Sequence, residues 1–179
     1  MSLTPEQIRD AACCSTSRAI SWAPHINAAL DRYGIDTPLR IAAWLAQISH
    51  ESAQLCRTVE IWGPTNAQRR YERRADLGNV QAGDGARFKG RGLIQITGRV
   101  NYAAYSRSAG IDFTVMPEQL AQPTHAALSA GWYWREHGLN ALADARDMLQ
   151  ITHRINGGEN GLRERLDIYR VACQTLGVR

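Results

Sequence analysis

The stretch between positions 37 and 60 constrains the fold most, because its apolar residues recur at intervals of three and four. Thr37 and Pro38 form a helix start: a hydroxyl that accepts an N–H, then a ring suited to the first helical position. Glu51 lies beside Trp44 at the edge of the apolar face, where a carboxylate is either an ordinary solvated group or one with a specific partner. The residues of that face are Ile41, Trp44, Leu45, Ile48, Ser52 and Leu55.

The size and composition of the chain predict one globular domain. It has 179 residues, 44% of them hydrophobic. It contains no run of about eighteen apolar residues that could cross a membrane. The N-terminus lacks the basic start and apolar core of a signal peptide, so we expect that any action outside the cytoplasm needs another route of release. The cysteines at positions 13, 14, 56 and 173 lack zinc-site spacing. We expect them to be reduced, and we expect no metal or other cofactor.

The charge balance favours an anionic partner. There are 21 Lys and Arg against 17 Asp and Glu, which gives a net charge of +4. Nucleic acid, a membrane surface and an acidic wall polymer all fit such an excess, and charge alone does not choose among them. The segment RRYERRAD at 69–76 is either a solvated surface helix or a contact for a polyanion.

Helical signals dominate the rest of the chain. Leu93 to Thr97 is the exception: it reads as a short extended run in which Gln95 and Thr97 share one side. Thr97 is then a candidate cap for the next helix. The other predicted helices begin near Thr4-Pro5, at Ser15 to Ser17 (ending at Gly34), at Gly98 (to about Ala109), at Thr124 (ending at Gly138), before Ile151 (ending at Asn156-Gly157) and at Gly161 (to about Leu176).

Several short motifs follow one another from position 37 to the C-terminus. The most specific is FKGRGLIQITG at 88–98, followed by Asn101 and Tyr102. The others are ISHES at 48–52, the aromatic triplet WYW at 132–134, and INGG at 155–158 with Arg165. Together they resemble the catalytic domain of glycoside hydrolase family 19. The likeness is to the short phage-type members that lyse bacterial cell walls, more than to the longer plant chitinases.

The resemblance implies roles for individual residues. Glu51 matches the general acid, Glu60 matches the base, and Thr97 matches the hydroxyl that helps to hold the attacking water. It implies an inverting, metal-free mechanism. Positions that line the groove or support the carboxylates are matched by Gln95, Asn101, Asn156 and Arg165, and we add His50, Tyr102 and Trp134 as further candidates for substrate binding.

Inversion sets a geometric condition on the two carboxylates. It needs one protonated and one ionised carboxyl group, about 6.5–9.5 Å apart, with water between base and sugar. Nine residues of continuous helix would place Glu51 and Glu60 about 13 Å apart on opposite faces. We therefore expect the helix to end between Leu55 and Val59. The residues after Glu60 depart from the phage-type pattern, so Glu72 and Asp84 remain alternative bases.

The sequence thus predicts a mainly α, lysozyme-like (α+β) fold: a two-lobed helical domain with a groove and at most a small β-hairpin. One catalytic domain spans 1–179, with a large lobe at 1–57 and 87–179 and a small lobe or flap at 58–86. We expect Trp62 to pack beneath that small lobe.

The expected function is inverting hydrolysis of β-1,4 bonds in bacterial peptidoglycan by an endolysin-like, monomeric enzyme. It would reside in the host bacterial cytoplasm before release and act in the periplasm and cell wall, with neither nucleic acid nor stable membrane insertion involved. The alternatives are a chitinase, a secreted antibacterial wall-degrading effector, a catalytically inactive wall-binding module and, more distantly, a nucleic-acid binder.

Overall fold

The computed structural model describes residues 1–178, and within them the predicted mainly helical fold is confirmed. The only β-structure in this range is two isolated bridges, which join Arg91 to Val59 and to Ile96. Two 3-10 helices occupy Ala75–Leu77 and Pro117–Ala121. The α-helices are α1 Pro5–Ala11, α2 Thr16–Tyr33, α3 Pro38–Glu51, α4 Asn66–Arg69, α5 Asp84–Arg87, α6 Arg99–Ala109, α7 Pro123–Glu136, α8 Leu139–Asp144, α9 Met148–Asn156 and α10 Leu162–Thr175.

Side-chain caps fix the starts of the first three helices where the sequence predicts them. The hydroxyl groups of Thr4, Ser15 and Thr37 each accept the N–H three residues ahead. Gly34 ends α2 with φ 64°, a left-handed conformation that glycine adopts without steric cost. Local chemistry is sufficient to place these boundaries.

The core is built around α3. Residues 41–49 are all buried, so this helix has no solvent face along most of its length. It packs against α10 and α8, while α2 packs against α7 and α1. The partly exposed residues of α3 lie at its two ends: positions 38–40 at the start, and His50 and Glu51 at the C-terminal end. The burial of α3 therefore fixes where that carboxylate lies.

The prediction that the α3 helix ends between Leu55 and Val59 is wrong: it ends at Glu51. Ala53, Gln54 and Leu55 follow with φ of 50°, 55° and 61°, a left-handed turn without glycine. The Ser52 hydroxyl group favours this exit because it donates to Ile48 O (2.6 Å) and accepts Leu55 N–H (2.9 Å). The helix thus ends at least four residues earlier than expected.

The predicted extended run Leu93 to Thr97 is also wrong, because this segment is a tight turn. Arg91 and Ile96 exchange backbone hydrogen bonds of 3.1 and 2.8 Å, and Gln95 has φ 56°. Thr97 does not cap α6: its hydroxyl donates to Gln95 O at 2.9 Å. The N-cap residue is Gly98, where a Cβ would lie 2.7 Å from Leu77 O.

Residues 58–86, here called the small-lobe segment, contain α4, a 3-10 helix and the start of α5. The buried residues of this segment are Gln68, Asn79, Asp84 and Gly85. Trp62 is half-buried, with its ring centroid 6.1 Å from that of Tyr71. The division into two lobes stays a prediction.

No helix within residues 1–178 combines the length and apolar character that crossing a membrane requires. The four cysteines are free thiols.

Candidate active site

Two adjoining cavities, of about 370 and 360 Å³, meet at Glu51 and Gln95, which line both. We call them the first and second cavity. The first is also lined by Tyr71, Arg74, Leu77, Ile94, Ile96, Thr97, Asn101, Tyr133, Ile155 and Asn156. The second is also lined by His50, Ala53, Arg57, Val59, Glu60 and Ile61.

Glu51 is held by a buried arginine. Arg165 has 1% of its side chain exposed and donates from Nη2 to Glu51 Oε1 at 2.5 Å. Its Nη1 donates to Gln47 Oε1, and Gln47 Nε2 donates to Thr152 Oγ1 at 3.2 Å. Within residues 1–178, Glu51 Oε2 has no hydrogen-bond partner. One oxygen is thus fixed and the other is free for a ligand or a proton.

Glu60 is held through both oxygens by the chain around it. Oε1 accepts from Gln68 Nε2 (2.9 Å) and from the Tyr71 hydroxyl (3.4 Å), and Oε2 accepts from Gly90 N–H (2.9 Å). A Cβ at Gly90 would lie 3.3 Å from Glu60 Oε2 and 2.8 Å from Gln95 Oε1. Glycine is therefore required where the backbone approaches the carboxylate.

Tyr71 remains a hydrogen-bond donor over the ordinary pH range. Its pKa is raised, first by burial and then by the negative charge of Glu60. The sequence gives little sign of this role, because Tyr71 lies inside the charged run RRYERR.

The two alternative bases are engaged elsewhere. Glu72 accepts the N–H groups of Gly83 (2.7 Å) and Gly85 (2.9 Å). Asp84 pairs with Arg99 at 2.5 Å, and the hydrogen bond from that guanidinium lowers its pKa. Neither carboxylate lines either cavity. Among the three candidates, Glu60 alone shares a cavity with Glu51.

Four predicted polar residues gather beside Glu51 in the first cavity: Gln95, Thr97, Asn101 and Asn156. Asn101 Nδ2 donates to Thr97 O (2.8 Å), and Gln95 Nε2 donates to Gly92 O (2.9 Å). These bonds fix the tight turn that presents the Thr97 hydroxyl. Asn156 closes its own turn, donating to Asn160 O at 2.7 Å and accepting from Gly158 N–H at 2.8 Å.

His50 lies at the other end of the site, in the second cavity. Its Nδ1 is 2.7 Å from Glu164 Oε2, and a Cβ at Gly161 would overlap its ring. Close backbone contact on one side and Glu164 on the other fix the imidazole.

The predicted roles of Tyr102 and Trp134 in substrate binding are wrong, because both side chains are fully buried. The Tyr102 hydroxyl donates to Lys89 O (2.7 Å) and accepts from Arg91 (2.8 Å), and burial raises its pKa to about 12. Trp134 Nε1 donates to Asn140 Oδ1 at 2.8 Å. Arg165 is equally enclosed and supports Glu51 rather than meeting a ligand.

Tyr133 is the member of the aromatic triplet that lines the groove, a role the sequence did not assign to it. Its ring stacks on His137 at 3.7 Å, and its hydroxyl donates to Arg154 O at 2.8 Å. Burial, and then the charge of Glu51, raise its pKa to about 12. Neighbouring residues on a helix face different directions, so only one of the three could face the groove.

Known proteins of similar sequence and structure point to one family, although no protein-family model matches the chain. A "glycosyl hydrolase family 19 domain-containing protein" of Haemophilus influenzae is 34% identical over 179 residues, covering 84% of this chain and 86% of its own length. An endochitinase of Arabidopsis thaliana is 37% identical over 77% of this chain, which spans only 48% of that protein.

Solved structures agree in fold. A bacterial family 19 chitinase superposes with a TM-score of 0.75 at 23% identity, covering 98% of this chain and 95% of its own. Chitinase C of Streptomyces griseus gives 0.72 at 20% identity, covering 97% and 76%. These likenesses confirm the mainly helical fold, and the Haemophilus influenzae relative shows the family. The chain belongs to glycoside hydrolase family 19.

Proposed function

We propose that this glycosidase hydrolyses β-1,4 bonds of bacterial peptidoglycan by inversion, with Glu51 as general acid and Glu60 as general base. The observation that carries the proposal is that the two carboxylates line one cavity but are held in different ways. An acid and a base on opposite sides of a glycosidic bond need separate supports and room for water between them.

Glu51 supplies the proton to the leaving oxygen. Arg165 holds Oε1, so the unpartnered Oε2 is the atom that can carry the proton. The guanidinium remains beside the carboxylate after the proton has left and stabilises the charge that forms. Because Arg165 is buried and also bonded to Gln47, the acid is presented from a fixed position.

Glu60 takes a proton from the attacking water. Its two oxygens accept three hydrogen bonds, which fix the orientation of the carboxylate that acts as the base. Thr97 lies in the first cavity, where its hydroxyl oxygen can accept a hydrogen bond while its proton points to Gln95 O. That oxygen orients the water for attack at the anomeric carbon.

Positive charge around the groove favours an acidic polymer. Between positions 57 and 74 there are five arginines and two glutamates. Arg57 is exposed, lines the second cavity and has no side-chain partner within residues 1–178. Arg74 lines the first cavity, although Asp76 pairs with it at 2.5 Å. Peptidoglycan carries carboxylates on its stem peptides and chitin is neutral, so this charge favours peptidoglycan over chitin.

Chitin is the second candidate substrate, because the names of several relatives and solved structures describe chitinases. The same pair of carboxylates would cleave the β-1,4 bonds of that neutral polymer. Purified peptidoglycan and colloidal chitin, offered separately to wild-type enzyme and to Glu51→Gln, decide between the two. We expect loss of turbidity with peptidoglycan only, and none with the variant.

Mass spectrometry of the new reducing ends then identifies the bond: muramic acid indicates a muramidase and glucosamine a glucosaminidase. Arg57→Gln should lower kcat/KM on peptidoglycan severalfold and leave activity on chitin oligosaccharides unchanged. Arg107→Gln is a matched control, because it removes one exposed charge that lines neither cavity. Cleavage of chitin alone would make the protein a chitinase.

We also propose that the enzyme is a monomer that acts in the periplasm or cell wall and binds neither nucleic acid nor a membrane.

A further inference from the structure

The connection between Glu51 and Glu60 begins with an unusual piece of backbone. Ala53, Gln54 and Leu55 all have positive φ, between 50° and 61°, although none is glycine. L-residues avoid this conformation, and a run of three persists only where the surrounding structure imposes it. The Ser52 hydroxyl accepts Leu55 N–H within the turn, and contacts from outside the turn hold it as well.

Helix α2 supplies that constraint with two side chains. Trp22 Nε1 donates to Leu55 O at 3.0 Å, and Arg18 Nη1 donates to Gln54 O at 3.1 Å. Outside the helices, no backbone N–H in residues 1–178 donates to either carbonyl. Trp22 is buried, so its hydrogen bond forms away from competing water. Neither residue lines either cavity.

The turn sets the direction in which the chain leaves Glu51. Three residues after Leu55, Thr58 O accepts Gly92 N–H at 2.9 Å, and Glu60 N–H donates to Gly90 O at 2.9 Å. The path to the second carboxylate is therefore fixed at both ends. The tight turn at residues 90–96 fixes one end, and the left-handed turn held by α2 fixes the other.

We propose that Trp22 and Arg18 are positioning residues: by locking the left-handed turn they set the separation between Glu51 and Glu60. The proposal rests on the acid and base roles proposed above. If the turn relaxed to ordinary backbone angles, Glu60 would shift relative to Glu51, and the water between them would lose its alignment.

Trp22→Phe is the direct test, because it removes the N–H donor and keeps an aromatic ring in the core. The ring is smaller, and the control variant below accounts for that loss of packing. We expect kcat on purified peptidoglycan to fall about tenfold with KM nearly unchanged, an effect of the size of one hydrogen bond. Arg18→Gln should also lower kcat, because it weakens the other hydrogen bond to the turn. Arg18 is half-buried, so this variant provides the test if Trp22→Phe folds poorly.

Ile26→Val is the matched control, because Ile26 is buried on the same helix and its apolar side chain has no hydrogen-bond donor to offer the turn. It should lower Tm as much as Trp22→Phe while leaving kcat unchanged. Adding Gln54→Gly to Trp22→Phe should restore part of the lost kcat, because glycine adopts positive φ without strain. Unchanged kcat in both Trp22→Phe and Arg18→Gln, or an equal loss in Ile26→Val, would overturn the proposal.

Hydrogen–deuterium exchange separates failure of this inference from failure of the proposed function. Amides of residues 53–58 should exchange faster in Trp22→Phe than in wild type or Ile26→Val, whatever polymer the enzyme cleaves. Faster exchange in Trp22→Phe, together with a wild-type protein inactive on both polymers, would support the hold of Trp22 on the turn and exclude the assigned activity. Wild-type exchange in an active Trp22→Phe enzyme would do the reverse.

Discussion

Residues 41–49 of α3 and residues 58–86 differ in what they bury. Every residue of the first stretch is inside, and most are apolar. In the second, the buried residues are Gln68, Asn79, Asp84 and Gly85. Apolar burial is strong but has no direction, whereas hydrogen bonds are weaker in net terms and strict in geometry. One carboxylate is therefore anchored to a core and the other to a polar network.

This difference suits the two proposed tasks. Glu51 must present one atom at a constant position, and the α3–α10 contact holds it there through Arg165. Glu60 must face the attacking water, and hydrogen bonds from Gln68, Tyr71 and Gly90 hold its carboxylate in one orientation. Substitutions in each region test the two tasks separately.

Glu51→Gln should have the largest effect. The amide keeps the size of the side chain but cannot release a proton to the leaving oxygen, so we expect kcat to fall about 10⁴-fold. The variant should still bind peptidoglycan in a pull-down assay and keep its circular dichroism spectrum. Near-normal turnover in a folded protein would remove Glu51 from the mechanism.

Glu60→Ala should lower kcat about 10³-fold through loss of the base. External azide should restore turnover by replacing the water that the carboxylate activates, and the product would then be a glycosyl azide detectable by mass spectrometry. Glu72→Ala serves as the control, because it removes a carboxylate from the same segment that lines neither cavity. Rescue of Glu72→Ala instead would transfer the role of base to Glu72.

Asp84→Asn tests the polar interior of the small-lobe segment. The Asp84 side chain is 2% exposed and pairs with Arg99, whose hydrogen bond lowers the pKa of that carboxyl group. Because Arg99 is partly exposed, breaking the pair should cost roughly 2 kcal/mol, the size of a hydrogen bond to a charged group. Amide hydrogen–deuterium exchange at residues 71–85 should become faster at neutral pH, while the amides of α3 stay protected. Asp112→Asn, at an exposed carboxylate, should change little.

The pH dependence of that pair has a defined sign. Because the folded pKa of Asp84 lies below the unfolded value of about 3.9, its stabilisation is complete above that value. It is lost as the pH falls through the folded pKa. The amide hydrogen-exchange pattern of wild-type protein should therefore come to resemble that of Asp84→Asn only in acid. The same change above pH 7 would contradict the assignment.

Local signals in the sequence were enough for most helix boundaries. Thr4, Ser15 and Thr37 act as caps where their neighbours predict them, because a cap and the N–H it serves lie within one turn. The family motifs likewise brought Glu51, Gln95, Thr97 and Asn101 into one groove. These features depend on residues close in sequence or on a pattern that has been seen before.

Features that depend on distant partners were missed. The left-handed turn after Glu51 is held in part by Trp22, 33 positions from the carbonyl it binds, and no neighbouring residue indicates that partner. Trp134 faces the core and Tyr133 the groove because of how α7 packs. Tertiary contacts decided these cases, so a window of neighbouring residues could not predict them.

Thr97→Val should give the smallest of these effects, and it separates two roles for one hydroxyl. The structure has already removed the capping role, since Gly98 is the N-cap residue of α6. Valine keeps the branched shape but loses both the bond to Gln95 O and the acceptor proposed for water. We expect kcat to fall about tenfold, the size of one hydrogen bond at the transition state, with KM unchanged. Thr97→Ser, which keeps the hydroxyl, should recover most of the activity, and Tm should move little in either variant. A loss of Tm without loss of turnover would make Thr97 a structural residue of the tight turn alone, and the water would then be held by Glu60 without its help.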